Sequence, residues 1–102
     1  MQGESASGHR VAVERRHPAT FWVRVEGKLV ATGAERLAMD LRRALRRKKD
    51  RVVLDLARLA ELTEEAAQRI VEELHAYRDR VRVVLPELGE VAALGACFAV
   101  YA

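Results

Sequence analysis

The stretch RVVLDLARLAELTEEAAQRI, residues 51–70, constrains the fold most, because two different periodicities follow one another within it. It begins with a nearly continuous apolar run from Val52 to Leu56, which is typical of a central strand covered on both faces. Helical spacing then extends from about Glu64 to Arg78. The inward positions of this helix are Ala67, Ile70, Val71 and Leu74. A strand that leads through a polar corner into a helix predicts an α/β domain.

Two strands are predicted at the start of the chain. Residues 1–9 are small and polar and are interpreted as a flexible leader. From Arg10 onward apolar and polar residues alternate, and His17-Pro18 marks a turn between two strands that close at Gly27. The apolar face carries Val11 and Val13 of the first strand and Phe21, Val23 and Val25 of the second, whose other face carries Trp22, Arg24 and Glu26.

A first helix is predicted from about Gly33 to Lys48, with Thr32 as its N-cap. Its apolar stripe consists of Ala34, Leu37, Leu41, Ala44 and Leu45, and its outward residues are Arg36, Met39, Asp40, Arg43 and Arg47. The basic residues 46–49 are expected in its last turn, where they complement the negative end of the helix dipole.

The last part of the chain predicts two strands around a short helix. Residues 81–85 form a strand that Pro86 stops, residues 87–94 form a helix that ends at Gly95, and residues 97–101 form the last strand. The order β-β-α-β-α-β-α-β implies a mixed β-sheet with right-handed crossovers and helices packed on it. With 102 residues, the chain is expected to form a single small domain.

Composition argues against several classes of function. No stretch reaches the roughly 18–20 apolar residues of a membrane span, and the first residues lack the apolar centre of a signal peptide, so we expect a cytoplasmic protein without membrane insertion. The single cysteine, Cys97, provides no disulfide or metal cluster and is interpreted as a core thiol. His9, His17 and His75 are scattered, and the glycines form no phosphate-binding loop. We therefore expect no enzyme activity, metal site or cofactor.

Charge is distributed unevenly, although the formal net charge is only +3. The first predicted helix is basic and the second is acidic. The basic residues Arg42, Arg43, Arg46, Arg47 and Lys49 suggest a nucleic-acid-associated protein as one alternative. No aromatic residue interleaves with them to stack bases, and the net charge is small, so a solvated helix face fits the pattern better.

Three segments resemble the STAS domain, the module shared by anti-sigma factor antagonists and the cytoplasmic tails of sulfate transporters. They read FWVRVEGKLVATGAERL, VVLDLARLAELTEEAAQRI and RVRVVLPELGEVAALGACFAVY. The resemblance covers the chain from about Arg10 onward and depends on the element order, the Gly27 turn, the strand Leu54-Asp55-Leu56 and the corner before the second helix. It implies that Asp55 orients this corner through backbone hydrogen bonds.

In the family, this corner carries a hydrophobic residue, then Asp, then a Ser or Thr that a partner kinase phosphorylates, often followed by Ser-Gly. Aligned without a gap, Leu62 matches the hydrophobic residue, Thr63 replaces the Asp, and Glu64 replaces the phosphoacceptor. Glu65-Ala66 replaces the common Ser-Gly. The resemblance therefore implies a STAS protein with a degenerate phosphoacceptor site at Glu64, or at Thr63 if the alignment shifts by one residue.

The corner has two interpretations. A phosphate at a helix N-terminus is stabilised by free N–H groups and the helix dipole while it repels a docked partner. The Glu64 carboxylate would supply part of that charge permanently. Alternatively, Thr63 caps the helix, and Glu64 and Glu65 are ordinary first-turn acids.

The resemblance implies a protein-interaction module that acts as an anti-sigma factor antagonist and binds a kinase-type anti-sigma factor in partner switching. The residues expected in this contact are Lys28, Thr32, Leu62, Thr63, Glu64, Glu65 and Gln68. An alternative is an accessory subunit, similar to the small STAS proteins that attach to the ATPases of lipid-transporting ABC transporters.

Two further expectations concern the sheet. Many STAS domains carry another helix after the last predicted strand, so an uncovered sheet edge or groove is expected to be shielded by dimerisation. Trp22 lies opposite Phe21 and Val23 and is expected to be partly buried within the monomer.

Overall fold

The computed structural model describes residues 8–16, 19–87 and 92–101. In chain order the elements are β1 (His9–Arg16), β2 (Thr20–Leu29), α1 (Ala31–Ala44), β3 (Arg51–Asp55), β4 (Leu59–Leu62), α2 (Glu64–Leu74), a 3-10 helix (His75–Arg80), β5 (Val81–Val84), α3 (Ala92–Cys97) and β6 (Ala99–Val100). Most of the predicted leader and the predicted turn at His17-Pro18 lie outside the described residues. His9, the last residue assigned to the leader, already belongs to β1 and pairs with Gly27.

The sheet is mixed, as the sequence predicted. Its strands follow the order β1-β2-β3-β5-β6, and β4 pairs with the end of β2. β1 and β2 are antiparallel, whereas the other pairs are parallel. Parallel neighbours need crossover connections, which α1 provides between β2 and β3 and α2 provides before β5. Within the described ranges, no helix has the length and apolar character needed to cross a membrane.

The main core lies between the helices and one face of the sheet. Its strand residues alternate along the chain, and its helix residues come from all three helices. They include Val23, Val25, Val52, Leu54, Val81 and Val83 from the strands and Ala34, Leu37, Leu41, Ala67, Ile70, Leu74 and Leu94 from the helices. The intervening strand residues, such as Trp22, Val53 and Asp55, point to the opposite face, which we call the open face. Val53 and Asp55 are nevertheless buried, so β3 is covered on both faces as predicted.

The start of α1 differs from the prediction, because Thr32 is not its N-cap. The helix begins at Ala31, and the N-cap is Val30, whose side chain makes no capping hydrogen bond. The Val30 carbonyl accepts a hydrogen bond from the Ala34 N–H at 2.8 Å. The preceding Leu29, at the end of β2, is fully buried. The position of this buried strand end therefore determines where the helix starts, and it overrides the local preference for a capping side chain.

The end of α1 also differs, because the helix stops at Ala44 and residues 46–49 lie in turns beyond it. Arg80 explains this geometry. Its guanidinium donates hydrogen bonds to the carbonyl oxygens of Leu45 at 2.9 Å, Arg47 at 2.6 Å and Asp50 at 3.2 Å. A distant arginine thus satisfies carbonyl groups at and beyond the helix end, and the chain turns there instead of extending the helix.

The region predicted as a corner contains a strand, β4, that the sequence analysis missed. β2 does not close at Gly27 but continues to Leu29, and its pairing register shifts between Gly27 and Lys28. Gly27 has a φ of +94°, which favours glycine. β2 pairs with β3 as far as Arg24 and with β4 from Gly27 onward. The apolar residues of β4, Leu59 and Leu62, are three positions apart, so the alternation typical of a strand is absent.

The second and third helices have shifted ends. α2 starts at Glu64 as predicted but ends at Leu74 instead of Arg78, and a 3-10 helix follows. Such tightening is common where a helix ends. The described part of α3 continues past Gly95, where its end was predicted, to Cys97. Leu94, which is fully buried, accepts a hydrogen bond from the Phe98 N–H and holds this last turn. Residues 88–91, in the predicted start of this helix, lie outside the described residues.

Candidate functional site

The polar corner before α2 is attached directly to the end of β2. In the parallel pairing of β2 and β4, Lys28 lies opposite Glu61 and Leu29 lies opposite Leu62. The Thr63 N–H donates a hydrogen bond to the Leu29 carbonyl at 3.2 Å. The missed strand therefore fixes the position of the corner and brings Lys28 next to it.

Thr63 is the N-cap of α2, as one interpretation of the sequence proposed. Its backbone is extended, with φ −75° and ψ 155°, and its Oγ1 accepts a hydrogen bond from the Ala66 N–H at 3.0 Å. Its carbonyl oxygen accepts a hydrogen bond from the Ala67 N–H at 3.1 Å. Glu64 and Glu65 occupy the first turn, where a negative charge is favourable. The capping geometry explains these residue types.

The residues expected to contact a partner form one surface, which we call the corner surface. It consists of Lys28, Thr32, Leu62, Thr63, Glu64, Glu65 and Gln68. Leu62 and Thr63 are half-buried, and the other five are exposed. α1 begins immediately after β2 and α2 begins immediately after β4, and these strands are parallel neighbours, so both helix N-termini lie at the same edge of the sheet.

Four side chains of the corner surface, those of Lys28, Glu64, Glu65 and Gln68, are available to a partner. Among the described residues, no hydrogen bond or ion pair involves the side chains of Lys28, Glu64, Glu65 or Gln68. An acidic helix start therefore lies beside one lysine. Such a surface can form charge-assisted hydrogen bonds with a protein partner without first breaking internal ones.

Asp55 links the turn after β3 to the open face. Its Oδ1 accepts a hydrogen bond from the Ala57 N–H at 3.1 Å, which is the kind of backbone bond that the resemblance implied. Its Oδ2 accepts a hydrogen bond from Trp22 Nε1 at 3.0 Å, and Arg24 Nε lies 3.8 Å from the same oxygen. Sequence reasoning missed the Trp22 bond, because it joins neighbouring strands that are far apart in the chain.

Trp22 is half-buried, as expected, and it forms one wall of a shallow cavity on the open face. The Arg16 guanidinium lies 4.1 Å from the centroid of the indole ring, and the Tyr101 ring packs edge-on at 5.0 Å between centroids. The cavity has a volume of about 360 Å³. It is lined by Arg16, Thr20, Trp22, Arg51, Val52, Val53, Asp79, Arg80, Arg82 and Tyr101.

The basic face of α1 has an aromatic neighbour that the sequence did not reveal. Tyr77, from the 3-10 helix, lines a surface cavity together with Met39, Arg42, Arg43 and Arg46. Arg42 donates a hydrogen bond to Glu73 at 2.9 Å. This bond, followed by one to Tyr77, raises the pKa of the Arg42 guanidinium above its usual range. Part of the basic face is therefore neutralised by α2.

Cys97 lies at the edge of the core, in agreement with its interpretation as a core thiol. Cys97 is half-buried and packs against the core, and burial raises the pKa of its thiol. In residues 8–16, 19–87 and 92–101, no cluster of three or more His, Cys, Asp or Glu side chains could hold a metal ion.

Comparisons with known proteins identify the fold. No family model and no curated protein sequence matches the chain. The structure of the unphosphorylated anti-sigma factor antagonist SpoIIAA is similar, with a TM-score of 0.67 and 14% identity over 90% of this chain and 87% of that one. An antisigma-factor antagonist STAS domain from Rhodobacter sphaeroides is similar with a TM-score of 0.58 and 27% identity, over 78% of this chain and 89% of that one. The chain folds as a STAS domain.

An uncharacterised protein of the DUF3478 family from Shewanella loihica, described as having a SpoIIAA-like fold, is similar to this STAS domain as well. The TM-score is 0.57 and the identity is 19%, over 90% of this chain and 77% of that one. The fold class inferred from the resemblance is thus confirmed. Proteins of different function share a fold of this kind, so the surface residues determine what this chain binds.

Proposed function

We propose that this STAS domain is an anti-sigma factor antagonist-like module that binds a kinase-type anti-sigma factor through the corner surface. The observation that carries the proposal is the exposed start of α2, within a fold shared with anti-sigma factor antagonists. There the side chains of Glu64, Glu65 and Gln68 make no hydrogen bond or ion pair with the other described residues. The proposed activity is binding without catalysis, and the proposed location is the cytoplasm.

The corner surface has the composition of a binding site. Leu62 is half-buried and provides a small apolar centre, and the exposed Lys28, Glu64 and Gln68 surround it with polar groups. Interfaces commonly combine an apolar centre with a polar rim. The Thr63 cap and the pairing of β4 with β2 hold the backbone of the site in place before a partner binds, which reduces the entropic cost of binding.

We further propose that the Glu64 carboxylate replaces part of the charge that a phosphate would bring to this helix start. Glu64 is exposed at the first position of α2, beside N–H groups that favour an anion. A carboxylate carries less charge than a phosphate and cannot be removed by a phosphatase. A partner docked here would therefore meet a constant, moderate negative charge instead of a reversible one.

The partner class can be tested by recovering the tagged protein from its native cells and identifying the co-purifying proteins by mass spectrometry. We expect a small ATP-binding anti-sigma kinase. We also expect the Glu64→Ser variant to retain more of it, because the repelling charge is removed. Equal retention by Glu64→Ser would show that Glu64 is only a first-turn acid. Recovery of an ABC transporter ATPase, or salt-sensitive binding to random DNA without a kinase, would overturn the proposal in favour of one of the two alternative functions.

A further inference from the structure

β1 is a long edge strand with an exposed surface. It has eight residues, lies at one end of the strand order, and is exposed at every residue from Arg10 to Arg16. The side chains of Val11 and Val13 are 42% and 62% exposed on the face that carries the core. Its pairing with β2 runs without a bulge along all eight residues. Proteins usually shorten, bend or cover such edges, because their free N–H and C=O groups can pair with another strand.

The backbone groups that β1 offers to another strand belong to Val11, Val13 and Arg15. The Gly8 carbonyl accepts a hydrogen bond from the Lys28 N–H, so in this antiparallel pair the even-numbered residues of β1 bond to β2. The groups of Val11 and Val13 then point away from β2. The same alternation continues along β2, where the backbone groups of odd-numbered residues point toward β3. The Ala19 carbonyl, for example, accepts a hydrogen bond from the Arg51 N–H of β3.

The sequence of β1 is complementary to itself when two copies run antiparallel about Ala12. This register sets Val11 opposite Val13 of the second copy, so that residues whose backbone groups point away from β2 meet. It also sets Arg10 opposite Glu14 of the second copy. By symmetry, each of these contacts occurs twice. Opposite charges and β-branched pairs that face each other directly across two strands are the cross-strand contacts that stabilise a sheet.

The other registers that the backbone allows are less favourable. Because odd-numbered residues must face odd-numbered ones, a two-fold axis must pass through a residue of β1 and not between two residues. An axis at Val13 would set Arg10 opposite Arg16, and an axis at Glu14 would set Val13 opposite Arg15. Of these three registers, the one about Ala12 places Arg10 opposite Glu14 and also places Val11 opposite Val13.

We propose that the chain forms a symmetric dimer in which β1 pairs with β1 of a second copy about Ala12, so that the two sheets become continuous. The internal ion pairs that compete are weak, because they are exposed. Arg10 lies 3.5 Å from Glu26, and Glu14 lies 3.2 Å from Arg16. Such surface pairs contribute little to stability, so both side chains can turn to the second copy. The paired residues 10–14 include none of the residues of the corner surface.

The first test uses charge reversal and sedimentation at micromolar concentrations. We expect the wild type to be a dimer, and we expect Glu14→Arg and Arg10→Glu each to weaken the dimer about tenfold or more, because like charges then face each other twice. An equimolar mixture of these two variants should form dimers again, since each supplies the charge that the other lacks. Circular dichroism would show that the variants are folded, and Gln68→Arg serves as a control that should leave dimerisation unchanged.

The second test locates the two-fold axis by disulfide cross-linking in a Cys97→Ala background. Ala12→Cys places two thiols in a directly opposed pair and should form a cross-linked dimer under mild oxidation. Val13→Cys, one residue away, should cross-link far more slowly, because its opposite residue is Val11. A monomeric wild type would overturn the proposal. The proposed interface would be overturned if neither charge reversal weakened the dimer. It would also be overturned if Val13→Cys cross-linked faster than Ala12→Cys.

Discussion

The Thr63 hydroxyl has one clear structural role, which is to cap α2. In Thr63→Ala the Ala66 N–H loses the acceptor that now lies 3.0 Å away. We expect the free energy of unfolding to fall by about 1 kcal/mol in Thr63→Ala. In Thr63→Ser it should stay close to the wild-type value, because serine also caps helices. Equilibrium unfolding in urea measures both changes. An unchanged midpoint for Thr63→Ala would contradict the capping role.

Asp55 is the residue on which the turn after β3 and the Trp22 side chain both depend. In Asp55→Ala the Ala57 N–H and Trp22 Nε1 lose their acceptors, and we expect a loss of about 2 kcal/mol. Trp22→Phe removes one of these donors. The double variant should therefore lose less stability than the sum of the single variants, and a double-mutant cycle by urea unfolding measures the difference. Strict additivity would mean that the Trp22–Asp55 bond contributes nothing.

These two residues show what local sequence can predict. The cap at Thr63 acts within a few positions of the chain, so residue type and helix start were sufficient to predict it. The bond between Trp22 and Asp55 depends on the pairing of β2 with β3. No local pattern contains that information, and an aspartate in an apolar strand indicates only that some partner exists.

At the scale of elements, the helices and strands with strong periodicity were predicted, and those fixed by distant partners were not. The stripe of α1 is confirmed by the burial of Leu37 and Leu41, whereas the end of this helix depends on Arg80, which comes from another part of the chain. β4 forms only because the end of β2 extends beyond β3. The choice of corner-surface residues as a partner contact stays a prediction, and the strand that supports them was missed.

Gly27 provides a test of how the β2 bulge is built. A Cβ at this position would overlap the Gly8 carbonyl oxygen, and a φ of +94° disfavours other residues. We expect Gly27→Ala to lower the free energy of unfolding by about 2 kcal/mol or more. Gly95→Ala is a matched control, because Gly95 lies in α3 and the nearest atom to its added Cβ, in Leu85, is 3.8 Å away. That change should be neutral or stabilising, and thermal unfolding compares the two.

At the scale of the molecule, the order of elements was sufficient to predict the mixed sheet, and the resemblance of three segments implied the STAS fold. The element order could not show that the open face carries Trp22, Tyr101 and several arginines around one cavity, because these residues are far apart in the sequence. The element order also could not show which face of the sheet is covered by the helices and which is the open face.

The stability of the whole domain should depend on pH through His9. Burial lowers the pKa of His9 below its ordinary value of 6.5, so the unfolded chain binds this proton more readily than the folded one. The stability associated with neutral His9 is complete above pH 6.5 and is lost as the pH falls through the folded-state pKa. Urea unfolding at a series of pH values measures this effect. Below pH 6.5, the free energy of unfolding should decrease less for His9→Gln than for the wild type. Parallel curves would contradict the assignment.

The measurement that tests the central claim most directly is the amount of anti-sigma kinase that co-purifies with corner and control variants from the native cells. Gln68→Arg introduces a positive charge at an exposed position of the corner surface. Arg43→Glu reverses the charge at an exposed position on the basic face of α1. We predict that Gln68→Arg loses most of the kinase while Arg43→Glu retains the wild-type amount. Loss with Arg43→Glu and full retention with Gln68→Arg would contradict docking at the corner surface.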